Sequence, residues 1–362
     1  MYKVRINPQW ELERPGELPK PLPDLLKLCE SINELGNLAA ACRHIGVSYR
    51  HGWGVMQEAT RMFQSPVADL ERGRGATLTA LGEKLLWANK RINARLSPIL
   101  DTLASELEIE LERVLSHTTG ILRMHASHGF AVEALRETLV EQAIPVELKY
   151  VGSQEALASL GQNECDVAGF HLPIGNLQAA ALKQYAAWLR APGLKLINLA
   201  TRQQGLMLPP KNPKRLSGLN DLCRKNIRFI NRQPGSGTRL LLDLLLKRDG
   251  IDSHAIQGYE VSEYTHAAIA AHVASGMADV GFGIETGARR FGLDFIPIVT
   301  ERYFLTCSAE RLKLKSMEQV LAIMQSHDFA TRVNQLPGYD AKDCGKVMSV
   351  AETFNLPRRK KA

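Results

Sequence analysis

Apolar positions early in the chain recur at helical spacing. After Pro23, the residues Leu25, Leu26, Leu28, Cys29, Ile32 and Leu35 fall on one face, and Gly36 stops the run. Asn37 is placed to cap a second short helix over 38–45, Gly46 supplies a turn, and Ser48 is placed to cap a third helix running to about Phe63. Two short helices across a tight glycine turn are the sequence form of a helix-turn-helix. Small Ala41 and Cys42 mark where the helices approach, and Ile45, Val47 and Val55 mark the seam between them. The apolar runs 67–70 and 76–78 flank Glu71-Arg-Gly-Arg-Gly75 and read as a hairpin, which after a helix-turn-helix is a wing. Ahead of all this, Val4 and Ile6 alternate as a short strand does.

Thr79 is placed to cap a long helix. Apolar residues at 81, 85, 88, 92, 96, 99, 103, 107, 111 and 114 step by three or four, a heptad-like seam. Some 36 residues of helix would span about 50 Å, and so long a stripe predicts pairing with a second copy, as a homodimer or tetramer. Ser97-Pro98 predicts a kink or a restart within it. From Gly120 the pattern becomes strand–helix alternation. Strand-like runs lie at 121–126, 145–151, 165–170, 194–200, 205–209, 227–231, 279–283, 295–299 and 302–307, and helical patterns lie between them. That predicts an α/β domain with largely parallel sheets, in two lobes joined by crossover strands. The expected organisation is a winged helix-turn-helix over 1–79, a linker or dimerisation helix over 80–117, a two-lobed domain over 118–350 and a basic tail over 351–362.

Composition narrows the class. The chain has 362 residues, 45% hydrophobic and 23% charged, as ordinary soluble proteins of two or three domains do. Uninterrupted apolar runs stay well short of the ~18 residues of a membrane span, and Met1 to Pro8 lacks the apolar region of a secretory signal; a cytoplasmic protein is expected. The six cysteines are scattered without a CxxC pair, which predicts buried thiols and no disulfide framework. The net charge of +7 is unevenly placed. Nine Lys/Arg stand against four acids between Arg43 and Arg95, and the sign reverses over 101–113. A basic first module predicts a polyanionic partner, double-stranded DNA.

The recognition helix of such a module presents its N-terminal residues to the major groove. Here these are Ser48, Tyr49, Arg50 and His51, with Gln57 further along the helix and Arg72 and Arg74 on the wing; Trp53 reads as a core residue. A second constellation is Asn231-Arg-Gln-Pro-Gly-Ser-Gly-Thr-Arg239, which follows a strand and opens a leucine-rich helix. Its Ser236, Gly237, Thr238 and Arg239 place backbone N–H groups, hydroxyls and a cation at a helix N-terminus, a setting for a small oxyanion or carboxylate. Ser127-His128-Gly129, Gly152-Ser153 and Tyr264-Thr265-His266 form similar strand-to-helix junctions, and His171 follows a strand. Several such junctions at strand ends are how open α/β sheets bind ligands. The loop is no Walker A, Gly281–Gly287 has the wrong spacing for a dinucleotide loop, and His266 and His272 are six apart, unlike helical metal ligands. GxSxG, HExxH and paired carboxylates are missing. Neither catalysis, a metal nor a cofactor is expected beyond an effector anion.

Three segments carry a resemblance. Gly46-Val-Ser-Tyr-Arg-His-Gly-Trp53, Glu71-Arg-Gly-Arg-Gly-Ala76 and Leu78-Thr-Ala-Leu-Gly-Glu-Lys-Leu85 resemble the winged helix of molybdate-responsive repressors and, more loosely, of LysR-type regulators. Residues 120–350 resemble a periplasmic-binding-protein-like, molybdate-binding type of sensor domain. That likeness rests on Ser127-His128, the 231–239 loop, Ala274-Ser-Gly-Met-Ala-Asp-Val-Gly281 and Pro337-Gly-Tyr-Asp340. Where that family often has Asp after Ser-His, this chain has Gly129. The small oligomerising repeats of the repressors are not part of the resemblance. It implies a regulator whose effector is molybdate or tungstate. Sulfate, nitrate, formate and the molybdenum cofactor are the alternatives, and a cytosolic enzyme or carrier reusing the binding fold is the competing class.

Overall fold

The structure is a computed structural model and describes residues 2–13, 15–16, 18–71, 75–116 and 120–354. Contacts divide the chain into two compact units: Asn7–Leu96, and Ser97 onward together with the stretch before Asn7.

In the first unit β1 (Glu11–Leu12) pairs antiparallel with β2 (Lys20–Pro21). The expected strand around Val4 and Ile6 does not form: the Val4 N–H donates to Glu108 Oε1 at 2.9 Å, a side-chain acceptor in place of a strand partner. Three helices follow, α1 (Pro23–Leu35), α2 (Leu38–Ile45) and α3 (Tyr49–Phe63). Pro23 stands in the first turn, where its missing N–H costs nothing. Asn37 Oδ1 accepts the Ala40 N–H at 3.0 Å, and Ser48 Oγ accepts that of His51 at 3.1 Å. Gly46 takes the left-handed conformation (φ 77°) that makes the turn. Leu25, Leu28, Cys29, Ile32, Ala41, Cys42 and Met56 are buried in one cluster with Leu85 and Leu86. A Cβ on Gly52 would lie 2.3 Å from Cys42 Sγ, so α2 and α3 approach too closely for any larger residue there. β3 (Ala68–Glu71) and β4 (Gly75–Leu78) form an antiparallel hairpin. Arg72 and Arg74 lie outside the described residues, as does most of the basic tail.

The helix α4 (Ala80–Ser116) runs unbroken through Pro98, without the restart that Ser97-Pro98 predicts. Packing on either side outweighs the lost Pro98 hydrogen bond. Before it, Leu85 and Leu86 join the first unit's core. After it, Thr102 and Ser105 bond to the second unit's edge strand. The division between the units falls within this helix, after Leu96.

In the second unit β5 (Leu122–Ala126), α5 (Phe130–Glu141), β6 (Val146–Tyr150), α6 (Ser153–Gly161), β7 (Val167–Pro173) and α7 (Gln178–Leu189) build one lobe. After β8 (Leu194–Leu208) come β9 (Phe229–Arg232), α8 (Gly237–Arg248), β10 (Ser262–Glu263), α9 (His266–Ala274), β11 (Val280–Ile284) and α10 (Glu285–Arg290), the second lobe. Then β12 (Asp294–Ser308) returns, followed by α11 (Lys315–Met324) and α12 (His327–Asn334), which pack on the core of the first lobe, and by β13 (Tyr339–Asp340) and β14 (Val347–Ser349). The sheet order is β10-β9-β11-β8-β12-β7-β5-β6, with β13 and β14 also on β8. β5, β6 and β7 are mutually parallel, as are β9, β10 and β11. β8 and β12 are antiparallel to each other and run through both lobes. The apolar runs 194–200 and 205–209 are therefore one strand, and so are 295–299 and 302–307. The polar residues between the runs are not loops. Thr201–Gln204 and Thr300–Arg302 stay in the ladder, where Arg202, Gln204 and Glu301 are buried.

β6 is an edge strand, and α4 covers it. Its Leu148 N–H donates to Ser105 Oγ at 2.8 Å and its Tyr150 N–H to Thr102 Oγ1 at 3.1 Å, which satisfies part of the open backbone row. Buried Glu108 pairs with Arg136 at 3.0 Å. The other face of this half-helix leaves Ile99, Leu103, Leu107, Leu111, Val114 and Leu115 exposed. Among the described residues no helix is long and apolar enough to cross a membrane.

Candidate functional site

In each lobe the three short strands are mutually parallel, so the loops after them open on one edge, and the helices that follow begin there. α5 begins after Ser127-His128-Gly129, α6 at Ser153, α8 at Gly237 and α9 at His266. The two lobes meet at these ends. A Cβ on Gly237 would lie 2.5 Å from His171 Cε1 of β7, and one on Gly129 would lie 2.7 Å from Arg202 Nη1 of β8. Glycine is required at both places for close approach rather than for a strained φ.

Arg202 and Glu301, paired in register at the centres of β8 and β12, form the floor. Arg202 Nε donates to Glu301 Oε1 at 2.5 Å, and His171 Nδ1 donates to Glu301 Oε2 at 2.8 Å. Burial works against the Glu301 carboxylate, but Arg202 and His171 outweigh it and hold its pKa down at about 2. Burial likewise opposes charge on Arg202, yet Glu301 and Tyr339 hold it above its ordinary value. Tyr303 lies under the Arg202 guanidinium, 5.3 Å from ring centroid to Cζ, and its hydroxyl donates to Ser127 O at 2.8 Å. Gln204 Nε2 donates to Thr238 Oγ1 at 3.2 Å, joining β8 to the first turn of α8.

Arg232 ends β9 with Nε on Gln233 Oε1 at 3.1 Å and Nη2 on Tyr264 O at 2.9 Å. Among the described residues it has no carboxylate partner. Burial and the neighbouring Arg202 lower its pKa to about 9. The same two arginines act on the histidines. Burial, then Arg232 and Arg202, push His128 down to about 3 and His266 well below its usual range. His266 is 1% exposed. Among the described residues, His128 Nδ1, His266 Nδ1 and Arg202 Nη2 are buried with no hydrogen-bond partner. The result is a buried polar cleft with more cationic than anionic groups and with polar atoms left unsatisfied, the chemistry of an anion site.

Several residues singled out from sequence meet here: Ser127, His128, His171, Gly237 and Thr238. Ser153 and Thr265 are buried at the starts of α6 and α9, and Thr265 accepts the Ala268 N–H at 2.8 Å. Ser236 caps α8 by accepting the Arg239 N–H at 3.1 Å. Tyr264 points away: its side chain is exposed and only its carbonyl reaches Arg232. Arg239 braces the lobe. It stacks on Tyr259, pairs with Asp243 at 3.2 Å and Glu260 at 3.5 Å, and donates to Tyr259 O. Two guanidiniums, Arg202 and Arg232, share the floor and wall with the neutral donors of the Gly-Ser-Gly-Thr loop. Arg232 and Tyr339 lie inside the 231–239 and 337–340 motifs without a role of their own there, as does His266 in its junction; Arg202, Gln204, Glu301 and Tyr303 lie outside every motif. Their one signal is polarity interrupting an apolar strand, as in Thr201-Arg-Gln-Gln204.

In the first unit, α3 exposes Tyr49, Arg50, Trp53, Gln57 and Arg61. Trp53 is therefore not a core residue: Gly52, Met56 and Ala59 take the inward positions, and Trp53 stacks on Tyr49 with centroids 6.3 Å apart. Ser48 is spent as a cap. His51 turns to α1, with Nε2 2.9 Å from Asp24 Oδ2.

The chain is 36% identical over 203 residues to the uncharacterized protein YvgK of Bacillus subtilis (strain 168); the stretch is 55% of this chain and 64% of YvgK, so the chain spans a little under two thirds of that relative. It is 26% identical over 209 residues to the molybdenum-pterin-binding protein MopB of Rhodobacter capsulatus, across 56% of this chain and 69% of MopB. Among solved structures, a hydrogen-peroxide-bound mutant of Corynebacterium glutamicum OxyR aligns with a TM-score of 0.44 at 16% identity, covering 93% of this chain and 97% of that one. Residues 123–325, more than half of the chain, match the model of the PBP superfamily domain, and the chain belongs to that family.

Proposed function

We propose that the chain is a one-component transcription regulator in which a small oxyanion, bound in the cleft, changes the affinity of the first unit for double-stranded DNA. The observation that carries this reading is the buried Arg232, close to Arg202 and without a carboxylate of its own. An unpaired buried guanidinium is costly, and an anion from solution is the partner that offsets the cost. Helix N-termini and hydroxyls around it add direction. Molybdate or tungstate is the effector by resemblance to molybdate-responsive regulators, and the name of MopB points the same way. In this reading the first unit is a winged helix-turn-helix, α3 is its recognition helix, and Tyr49, Arg50, Trp53 and Gln57 form its DNA-facing surface. The exposed stripe Ile99–Leu115 of α4 pairs two copies. The chain acts in the cytoplasm and catalyses nothing. Thr102 and Ser105 tie α4 to β6, and β6 leads directly to the α6 N-terminus, which gives ligand closure a route to the helix.

The test is thermal stabilisation by molybdate, tungstate, sulfate, phosphate, nitrate and formate. Stabilisation by at least one anion, lost in Arg232→Met, supports the reading, and indifference to all six refutes it.

A further inference from the structure

We propose that His171 takes up one proton when the cleft binds a divalent tetraoxoanion and none when it binds a monovalent anion, so that this residue sets both the pH dependence and the charge selectivity of the site. The inference rests on the anion reading of the cleft and deepens it.

Glu301 fixes the direction of the His171 ring. Glu301 is ionised and can only accept, so the His171 nitrogen 2.8 Å away, Nδ1, carries the hydrogen. In the neutral ring Nε2 then holds a lone pair. That edge faces the start of α8: a Cβ on Gly237 would be 2.5 Å from Cε1 and 2.7 Å from Nε2. An anion drawn to the α8 N-terminus would meet a lone pair. A proton on Nε2 turns that repulsion into a charge-assisted hydrogen bond, while Glu301 already stands behind the ring to share the charge.

Arg202 and Arg232 bring two positive charges into the cleft and Glu301 brings one negative, while Arg239 is matched outside by Asp243 and Glu260. A monovalent anion neutralises what remains. A divalent one leaves a buried negative charge that one further proton removes.

His171 is the histidine suited to receive it. The groups that face it are Glu301 and Tyr303 of β12, Arg202 of β8, Arg232 of β9 and His266 of α9. From α8 it meets Gly237, and Tyr185 of α7, whose hydroxyl burial keeps protonated, acts on the Glu301 beside it. Burial lowers the pKa of His171 while Glu301 raises it, so the ring is neutral in the empty cleft but has a counter-charge in place. Among the described residues, no carboxylate acts on His128 or His266.

The experiment is calorimetric titration of the full chain with molybdate, tungstate and sulfate, and with nitrate and formate, near neutral pH in buffers of differing ionisation enthalpy. Phosphate is left out because it titrates there itself. Uptake close to one proton per divalent anion and close to none per monovalent anion is expected, with divalent affinity falling up to about tenfold per pH unit on the alkaline side. His171→Gln should bind divalent anions more weakly, with no proton uptake and little pH dependence. Divalent binding without proton uptake in the parent chain overturns the inference and leaves the anion reading intact. Uptake that persists in His171→Gln overturns the assignment to His171. If none of the five anions binds, the cleft reading falls and this inference with it.

Discussion

Arg202 and Glu301 face each other at the midpoints of the two long strands, bonded through Nε and Oε1, with each side chain 1% exposed or less. The pair sits where both lobes share their backbone, so whatever closes the lobes acts on it. Glu301→Gln leaves Arg202 buried without its countercharge. Stability should fall by roughly 3–5 kcal/mol in urea unfolding, and a bound anion should restore part of it. A variant as stable as the parent would mean that water, not Glu301, solvates Arg202.

Acid should weaken the empty protein in two windows. His128 is held at about 3 against an ordinary 6.5, so the unfolded chain binds more protons, and stability is lost as pH falls below about 6.5. Glu301 is held at about 2 against 4.5, so its contribution is full above 4.5 and is lost as pH falls toward 2. Melting temperature against pH should decline through both windows, and His128→Gln should flatten part of the upper one, which His266 shares. An unchanged upper window would place that proton elsewhere.

At the α8 N-terminus, Gly237→Ala should block the cleft, because its Cβ would stand 2.5 Å from the His171 ring. Thr238→Val and Ser127→Ala should weaken the stabilising anion by roughly ten- to a hundredfold each, the range of a hydrogen bond to a charged group. Ser127 reaches Tyr303 and Thr238 reaches Gln204, so both losses also loosen the floor. Calorimetry on the three variants checks this; parent-like affinity in all of them would mean that the loop only caps the helix.

The exposed stripe on α4 should be the contact between copies. Leu103→Glu or Leu107→Glu should give monomers in sedimentation, with the fold kept by circular dichroism. Ile92 and Leu96, on the same sequence spacing, are partly buried and should matter less. Dimers that survive both charges would move the interface off this helix.

The helical half of the first unit was legible in the sequence because its signals are local: Asn37 and Ser48 cap, Gly36 and Gly46 turn, and leucines repeat at helical spacing. The helix-start ends of the cleft were legible for the same reason. Its floor was not. Arg202 and Glu301 each look like a loop between two apolar runs, since only pairing across nearly a hundred residues makes a buried arginine tolerable in a strand. At Pro98 the helix does not restart, since packing on both sides of it keeps the helix whole. Trp53 misled because burial is the usual fate of tryptophan, and here Gly52 and Met56 take the inward positions.

The most direct measurement is the affinity of the chain for a duplex from upstream of its own coding region, with and without the anion that stabilises it, in the parent, Arg50→Ala and Arg232→Met. The account predicts that the anion shifts parent affinity by about 5–150-fold, the usual range of coupling between sites. Arg50→Ala should weaken binding by about 1–3 kcal/mol, and Arg232→Met should bind DNA like the anion-free parent whether or not anion is present. A parent that holds this duplex no better than a scrambled one, or equally well with and without the anion, would contradict it.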